Sequence, residues 1–395
     1  MQLVEQHVID RHDPRFEIID PVCFASKNLH NATLYQERQA FFAGKKVDSY
    51  TKLVHALNAT PEFQALPAKV AQWVVRQASN DWWNFWKAHK AYKKNPGKFT
   101  GRPKLPHYKD KQKGRNMLVY TGQAISRPAL KEGRVVPSQL AITIQTEQKE
   151  VRQVRIVPQA SHYVVEVVYG VKPKSRTANK LNLKWAASLD LGLDVLAAVT
   201  TNKRGLTPLL VNGRPLKSVN AYYNKLRAQR QSQLPKGQYT SRRLMELADK
   251  RNRKVDHFLH WASRYLIDWM VRERIGVLVI GHNVGWKQEV NIGKVNNQNF
   301  VAIPHSTFIH MLTYKAQLAG IKVIAKEESY TSKCSFLDLE PICKHAVYCG
   351  RRVKRAEFVA SDGRRIHADV NGSYNILRHA LPSAFARGIK GVVVT

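Results

Sequence analysis

The segment AASLDLGLDVLAAVT (186–200) decides the fold of the second half of the chain. Its residues are apolar apart from Ser188, Asp190, Asp194 and the final Thr200. A long apolar run of this kind is typical of a buried β-strand. The strand therefore carries Asp190 into a core, where an ionised carboxylate is costly unless an arginine or a metal ion compensates its charge.

The segments that follow alternate between helix and strand. A long basic segment predicts a helix with one apolar face, formed by Leu244, Leu247, Val255, Phe258, Ala262, Leu266 and Trp269. Two further strands are predicted at GVLVIG (276–281) and IKVIAKE (321–327), with a helix around 308–319 between them. A last helix lies in ADVNGSYNILRHAL (368–381). This order predicts an α/β domain with a mixed sheet.

Asp369 is the second acid that could carry chemistry, because it lies at the start of the last helix. An acid at this position is also an ordinary first-turn residue that the helix dipole stabilises. Two acids on the α/β sheet of a very basic protein, however, indicate divalent metal ions and phosphodiester hydrolysis.

The first half of the chain combines helices with short strands. Apolar spacing predicts helices from about 22 to 89, and alternating or β-branched residues predict strands from 116 to 170. The alternating pattern at 1–10 supplies another strand. We interpret these strands as a small barrel into which the helices are inserted, followed by a linker at 172–184.

The charge of the chain indicates its partner. The 395 residues carry a formal net charge of +35, from 64 lysines and arginines against 29 aspartates and glutamates. Basic residues concentrate in blocks at 87–115, 201–260 and 351–355. Such an excess destabilises the fold by self-repulsion unless a polyanion neutralises it, and nucleic acid is the usual polyanion. The blocks favour a long nucleic-acid footprint over a merely soluble basic protein.

Several protein classes are disfavoured. Four cysteines, Cys23, Cys334, Cys343 and Cys349, are too few and too scattered for a disulfide scaffold. The charged start MQLVEQHVIDRHD lacks the apolar core of a signal peptide, and no apolar run reaches the roughly 20 residues of a membrane span. We expect no membrane partner and a cytoplasmic protein that associates with the nucleoid through DNA.

Four motifs in order, SLDLGLDVLAAV, VLVIGHNVGWKQ, SYTSKCS and ADVNGSYNI, resemble the TnpB proteins of insertion sequences, which are related to type V CRISPR effectors and Fanzor proteins. The segment GRPKLPHYK and the inserted helices fit the same family. The resemblance implies an α+β multidomain protein. Its predicted parts are a wedge β-barrel (1–11 and 101–180), a helical recognition lobe (12–100), a RuvC-like, RNase H-like α/β nuclease domain (184–329 and 366–395) and a nucleic-acid-binding insert (330–365).

The resemblance also assigns the catalytic acids. Asp190 matches the first aspartate of the family and Asp369 the third acid. The family usually has glutamate where this chain has Gly281, at the end of a strand. The next parallel strand ends about 4.8 Å away, and Fanzor proteins combine such a glycine with a glutamate that matches Glu328. Alternation puts Glu327 on the opposite face, so we predict that Glu328 is the second acid, although both glutamates could simply be exposed.

The family commonly has a four-cysteine zinc ribbon between its last two acids. Here both CxxC knuckles are broken, since Leu337 and Ala346 stand where cysteines are expected. A Cys₃His set with His345 is conceivable, but its spacing is irregular. We predict a degenerate, zinc-free insert.

The resemblance implies an RNA-guided DNA endonuclease that uses Mg²⁺, or Mn²⁺, in a two-metal mechanism. Its partners would be a guide RNA from the transposon end and a double-stranded DNA target beside a short adjacent motif. The predicted nucleic-acid contacts are Arg102, Lys104, Arg242, Arg243, Arg251, Arg253, Arg351 and Arg352. The departure at Gly281 leaves open a nuclease-dead, RNA-guided DNA-binding repressor. A stand-alone junction resolvase would not explain the first half.

Overall fold

A computed structural model describes residues 1–174, 180–282, 302–386 and 388–393. The chain divides into two compact units, Met1–Val171 and Lys172–Thr395. Parts of the predicted wedge and nuclease ranges, of the linker and of the VLVIGHNVGWKQ motif lie outside the described residues. Among the described helices, none is long and apolar enough to span a membrane.

The first unit places a helical segment between its first and second strands. Its elements are β1 (Gln2–Ile9), α1 (Arg15–Phe42), α2 (Tyr50–Leu57), α3 (Pro61–Gln64), α4 (Ala68–Lys94), β2 (Leu118–Thr121), α5 (Arg127–Lys131), β3 (Arg134–Val135), β4 (Ile144–Gln145), β5 (Val151–Pro158) and β6 (Tyr163–Gly170). Thr60 caps α3, because its hydroxyl accepts a hydrogen bond from the Phe63 amide at 3.4 Å.

The strands of this unit do not form the predicted barrel. The described strands form one open sheet in the order β1-β6-β5-β2 and a separate β3-β4 pair. The apolar face of the open sheet is covered by helices, since Ile156 and Val165 belong to the same core as Val70 and Val74 of α4. The helices bury the surface that barrel closure would otherwise bury, so the sheet remains open.

The second unit contains the α/β domain. Its elements are β7 (Asn182–Leu191), β8 (Val195–Thr201), β9 (Leu209–Asn212), α6 (Arg214–Ser232), α7 (Arg242–Arg272), β10 (Ile275–Gly281), α8 (His305–Leu318), β11 (Lys322–Lys326), β12 (Arg351–Lys354), β13 (Glu357–Val359), β14 (Arg365–His367) and α9 (Ala368–Ala380).

The segment 186–200 is a hairpin rather than the single strand that its apolar composition predicts. β7 and β8 pair antiparallel, with Asp190 opposite Ala198. The chain turns at Gly192, whose amide donates to the Leu196 carbonyl at 3.3 Å. A Cβ at Gly192 would lie 2.6 Å from the Val195 oxygen, so the turn requires glycine.

The mixed sheet predicted for this unit is confirmed. Its order is β11-β10-β7-β8-β9, with β10 parallel to both β7 and β11. Ala187 and Leu189 pack into a core with α7 and α8, whereas Ala186 packs into a second core with α9. The alternation of side chains along β7 thus separates two helical layers. The segment that follows β11 forms a separate three-stranded sheet in the order β12-β13-β14.

One carboxyl group in the first unit lies in the interior. Glu37 of α1 is only 1% exposed. Burial, followed by the charge of Asp81, raises the pKa of Glu37 to about 8. Because the folded pKa lies above the ordinary value, the contribution of Glu37 to stability is lost as the pH rises from about 4.5 towards 8.

We therefore predict that Glu37→Gln stabilises the protein at high pH. The amide keeps the shape of the protonated acid without its ionisation, and each pKa unit corresponds to about 1.4 kcal/mol. The melting temperature should rise by at least about 4 °C at pH 9, with little change at pH 5. Glu17→Gln, an exposed position on the same helix, is the control. Equal effects of Glu37→Gln at both pH values would contradict the prediction.

Candidate active site

The carboxyl ends of three neighbouring strands define one edge of the second unit's sheet. Ile280 of β10 lies beside Leu189 of β7, so Asp190 follows one position later beside Gly281. Gly281 in turn lies beside Lys326 at the end of β11. Asp190 therefore lies one strand away from Gly281, where the family usually has its second acid.

Glu328 fills the space that Gly281 leaves. A Cβ at Gly281 would clash with Oε1 of Glu328 and lie 2.8 Å from its Cγ. Glu328 is half-buried, whereas Glu327 is exposed and accepts a hydrogen bond from the Ser329 hydroxyl at 2.8 Å. The turn that follows is held by Thr331, whose hydroxyl donates to the Glu328 carbonyl at 2.8 Å. The arrangement brings Glu328, and not Glu327, to the edge that carries Asp190.

Helix α9 brings the third acid. Asp369 lies in its first turn, and its amide donates to Nδ1 of His367, the N-cap residue, at 3.2 Å. One turn further, Gly372 lies directly under Asp190, because a Cβ there would clash with Oδ2 of Asp190. The helix backbone therefore contacts the carboxylate of β7.

A buried hydroxyl network fixes α9 on the hairpin. The Ser188 hydroxyl lies 2.9 Å from that of Thr200 and 3.1 Å from that of Ser373. It donates to the Ser373 carbonyl at 2.7 Å, and the Ser373 hydroxyl donates to the Ser188 carbonyl at 3.1 Å. Ser188 points to the same face as Asp190, two residues on. The network therefore fixes the helix where it contacts the acid.

Two buried asparagines of α9 hold the segment that follows Glu328. Asn371 accepts from the Phe336 amide at 2.8 Å and donates to the Cys334 carbonyl at 2.9 Å. Asn375 donates to the carbonyls of Thr331 and Cys334 at 2.9 and 2.7 Å. No local sequence pattern predicts these contacts, because the asparagines and residues 331–336 lie far apart along the chain.

Burial and mutual repulsion shape the electrostatics of this edge. Burial, followed by the charges of Glu328 and Asp369, raises the pKa of Asp190 well above its ordinary value. Burial raises the pKa of Glu328 to about 7. The charge of Arg352 of β12 lowers the pKa of Asp190 and so opposes the other causes there. Its Nη2 lies 3.4 Å from Oδ1 of Asp369. The three acids thus share one electrostatic environment with one arginine.

These carboxylates suit a hard divalent cation in their chemistry, because Mg²⁺ and Mn²⁺ prefer oxygen ligands. A cation would also favour the ionised form of Asp190, whose pKa is raised by burial and then by the charges of Glu328 and Asp369. Within the described ranges, no three His, Cys, Asp or Glu side chains converge closely enough to form a metal site. Asp190, Glu328 and Asp369 would therefore have to move closer together to hold one ion.

Asp194, a further acid in the hairpin turn, belongs to a different set of contacts. Its carboxylate pairs with Lys217 at 2.6 Å and with Arg355 at 2.7 Å. These cations hold the Asp194 pKa below its ordinary value, the hydrogen bond from Lys217 being the largest cause. Asp194 is thus an ion-paired residue and does not belong to the carboxylate cluster, which consists of Asp190, Glu328 and Asp369.

The eight residues predicted to contact nucleic acid differ in their exposure to solvent. Seven of the eight side chains are exposed, namely Arg102 and Lys104 in the first unit and Arg242, Arg243, Arg253, Arg351 and Arg352 in the second. Arg251 is partly buried and donates to Asn220 at 2.7 Å and to the Ala302 carbonyl. Its guanidinium therefore stabilises the packing of α6 on α7. Arg352 contacts the carboxylate cluster and also belongs to the basic surface.

The cysteines of the insert lie near one another without forming a regular set. The Cys334 thiol is buried and donates to the Pro341 carbonyl at 3.3 Å. Cys343 and Cys349 are exposed, and the Cys343 sulfur lies 3.4 Å from Nε2 of His345.

Two segments of the chain match known protein families. Residues 162–287 match the OrfB_IS605 family, described as a probable transposase, and residues 305–376 match the Cas12f1-like TNB domain. The chain is 27% identical over 207 residues to the TnpB-like protein ORF457 of Acidianus two-tailed virus, an alignment that covers 49% of this chain and 42% of that protein. The chain is thus similar to TnpB-like and Cas12f1 proteins over these segments.

Further matches are consistent with this relationship. The chain is 23% identical over 245 residues to the CRISPR-associated endodeoxyribonuclease Cas12f1 of Sulfoacidibacillus thermotolerans, covering 58% of this chain and 53% of that protein. These alignments thus span about half the length of the TnpB-like and Cas12f1 relatives. The structure of a Cas12f1 complex with sgRNA and target DNA matches with a TM-score of 0.57 at 13% identity, covering 91% of this chain and 82% of that chain, which shows similarity of fold.

We predict that Gly281→Ala destabilises the protein through Glu328. The new Cβ must displace the Glu328 carboxyl and also lies 2.6 Å from Cδ1 of Ile376. Overpacking of this kind costs about 1–3 kcal/mol. Chemical denaturation should show that Glu328→Ala in the same chain recovers part of the loss, because it removes Oε1 and Cγ. Gly101→Ala, at an open position, is the control. Strictly additive effects of the two substitutions would contradict the contact.

We also predict that the purified protein contains no stoichiometric zinc, because neither CxxC knuckle is intact. Elemental analysis of protein prepared without added metal tests this. One zinc per chain that is lost in Cys334→Ser would show that the three cysteines and His345 form a site despite their irregular spacing.

Proposed function

We propose that this chain is an RNA-guided DNA endonuclease whose catalytic acids are Asp190, Glu328 and Asp369. The observation that carries the proposal is that the three acids lie at one edge of the sheet, near enough for the charges of Glu328 and Asp369 to act on the pKa of Asp190, with Gly281 and Gly372 leaving space for two of the side chains. The net charge of +35 supports a polyanionic substrate. The similarity to TnpB-like and Cas12f1 proteins supports guided cleavage in particular.

Asp190, Glu328 and Asp369 would hold Mg²⁺ or Mn²⁺ through carboxylate oxygens. When bound in such a centre, two divalent ions activate water on one side of a phosphodiester and stabilise the leaving oxygen on the other. With a pKa of about 7, Glu328 holds a proton at slightly acidic pH and must release it to act as a ligand. Arg352 binds Asp369 in the free protein and is close enough to the acids to contact a phosphate held there.

Sequence specificity would come from a guide RNA, supplied by the transposon end, that pairs with one strand of the target DNA. The protein would contact the backbone of the heteroduplex and read a short adjacent motif. Arg242, Arg243 and Arg253 of α7 are exposed and suit backbone contacts, whereas Arg251 is held by intramolecular hydrogen bonds. Arg102 and Lys104 provide exposed cations on the first unit.

The decisive comparison is between the neighbouring glutamates. We predict that Glu328→Ala lowers the rate of guided plasmid cleavage at least about 100-fold. The affinity for the guided target, measured over times too short for cleavage, should change little. Glu327→Ala is the matched control, because this exposed side chain lies outside the cluster, and it should cut nearly as fast as the unchanged protein.

Two outcomes would contradict parts of the proposal. If Glu328→Ala cuts normally, the second acid is wrongly assigned. If the unchanged protein binds its guided target but never cuts with Mg²⁺ or Mn²⁺, the chain is a guided DNA-binding repressor rather than a nuclease.

A further inference from the structure

A groove of about 390 Å³ lies in the first unit between α1, α4 and the segment that connects α1 to α2. Its lining combines one acid with three tryptophans and two lysines, namely Glu37, Trp82, Trp83, Trp86, Lys45 and Lys46. Asp48 also lies at its rim. Aromatic and basic side chains around a concave site are typical of nucleic-acid recognition.

Two buried polar groups of this groove have no protein partner. Glu37 and Trp82 are each 1% exposed. Within the described part of the chain, no hydrogen-bonding partner lies within reach of either carboxylate oxygen of Glu37 or of Nε1 of Trp82. Buried polar groups are almost always hydrogen-bonded, so these groups require a ligand or ordered water. Together they hold two acceptors and one donor beneath the surface of the groove.

The remaining aromatic side chains present faces to solvent. Trp83 is 62% exposed and Trp86 is 43% exposed, although both line the groove. Large exposed aromatics are favourable stacking surfaces for unpaired bases. Lys45 and Lys46 are exposed and suit contacts with the flanking phosphates.

We propose that this groove binds the base of an unpaired guanine nucleotide. The Watson–Crick edge of guanine carries the O6 acceptor beside two adjacent donors, N1–H and the N2 amino group. These three polar atoms lie beneath the surface of the groove, so both side chains must turn toward the base. The indole N–H of Trp82 would then donate to O6, and the two oxygens of Glu37 would accept from N1–H and N2–H. Trp83 or Trp86 would stack on the ring. The edge is accessible only when the base is unpaired.

Other ligands match this set of groups less well. Adenine and cytosine each present one amino donor beside a ring acceptor, and uracil presents one donor between two acceptors. An arginine side chain would satisfy Glu37 and contact the tryptophans, but it carries no acceptor for the Trp82 N–H.

The burial of the Glu37 carboxyl group supports a binding role. Burial and Asp81 raise the pKa of Glu37 to about 8, which makes the empty groove unfavourable for an ionised carboxylate. Hydrogen bonds from two N–H donors favour the ionised form and would remove part of this penalty. The inference does not rest on the nuclease activity, since it concerns binding in the first unit alone.

The experiment uses the full chain, freed of nucleic acid at high salt, and measures binding by tryptophan fluorescence. The probes are the ribonucleotide pentamers UUGUU, UUAUU and UUIUU, in which inosine lacks the N2 amino group, and the deoxyribonucleotide pentamer TTGTT. N-acetyl-arginine amide serves as the competitor that represents a protein ligand.

We expect UUGUU to bind at least about 10-fold more tightly than UUAUU, with UUIUU between them. Glu37→Gln should make guanine and adenine pentamers bind equally, and Trp82→Phe should narrow their difference. Glu37→Gln is the safer variant because it should fold at least as stably as the unchanged protein. Glu17→Gln should keep the preference. Tighter binding of UUGUU than of TTGTT assigns the groove to RNA, and the reverse assigns it to DNA.

Equal binding of UUGUU and UUAUU, or a guanine preference that survives Glu37→Gln, would overturn the proposal. Tighter binding of N-acetyl-arginine amide than of UUGUU would assign the groove to a protein ligand instead. Salt lowers the affinity of all pentamers through counterion release, so the ratios between probes carry the test.

Discussion

The candidate active site depends on how closely α9 approaches the central hairpin. Gly372 lies under the Asp190 carboxylate, and a Cβ at that position would collide with it. The next residue, Ser373, shares a buried hydroxyl network with Ser188 and Thr200. Such networks are favourable only when every member is satisfied, so they impose one position of the helix on the sheet. A larger residue in place of the glycine would separate the helix from the strand.

The same helix also positions the other two acids. Asp369 belongs to its first turn, and Asn371 and Asn375 hold the segment that follows Glu328. Glu328 can then occupy the space above Gly281, on the strand next to Asp190. Helix α9 therefore carries Asp369, contacts Asp190 and fixes the segment that follows Glu328. The position of Glu328 is determined by tertiary packing rather than by its own strand.

The sequence pattern predicted α7, β10, α8, β11 and α9 of the second unit and its mixed sheet, because buried strands and amphipathic helices leave strong periodic signals. It did not predict β9 or the short strands β12, β13 and β14. It also singled out Glu328 over Glu327 by strand alternation, and the structure brings Glu328 to the edge of Asp190. The hairpin was missed because Gly192 and Asp194, both common turn residues, were interpreted as parts of one apolar strand. The open sheet of the first unit was missed because apolar strands do not reveal whether helices or other strands cover them.

Other features could not be predicted because they depend on contacts between distant residues. The contact of Arg352 with Asp369 requires β12 to lie beside the start of α9, which no local pattern encodes. Arg251 looked like its neighbours in sequence, yet its guanidinium is held by Asn220 and the Ala302 carbonyl. Glu37 lies in a helix with many polar residues, and only the structure reveals that it is buried.

The buried acids and the positive surface address different parts of recognition. A net charge of +35 favours any nucleic acid, because counterion release does not depend on sequence. Discrimination between nucleotides must therefore come from buried polar groups. A wrong ligand leaves such a group without its hydrogen bond, and this costs binding free energy. Glu37, Asp190 and Glu328 have raised pKa values, which means that the free protein holds these carboxylates, when ionised, at a cost in stability. Natural proteins retain such costs chiefly at functional sites, where ligand binding compensates them. The raised pKa values thus connect two regions of the chain that share no sequence motif, and each is explained by a ligand that brings positive charge or hydrogen-bond donors to a buried carboxylate.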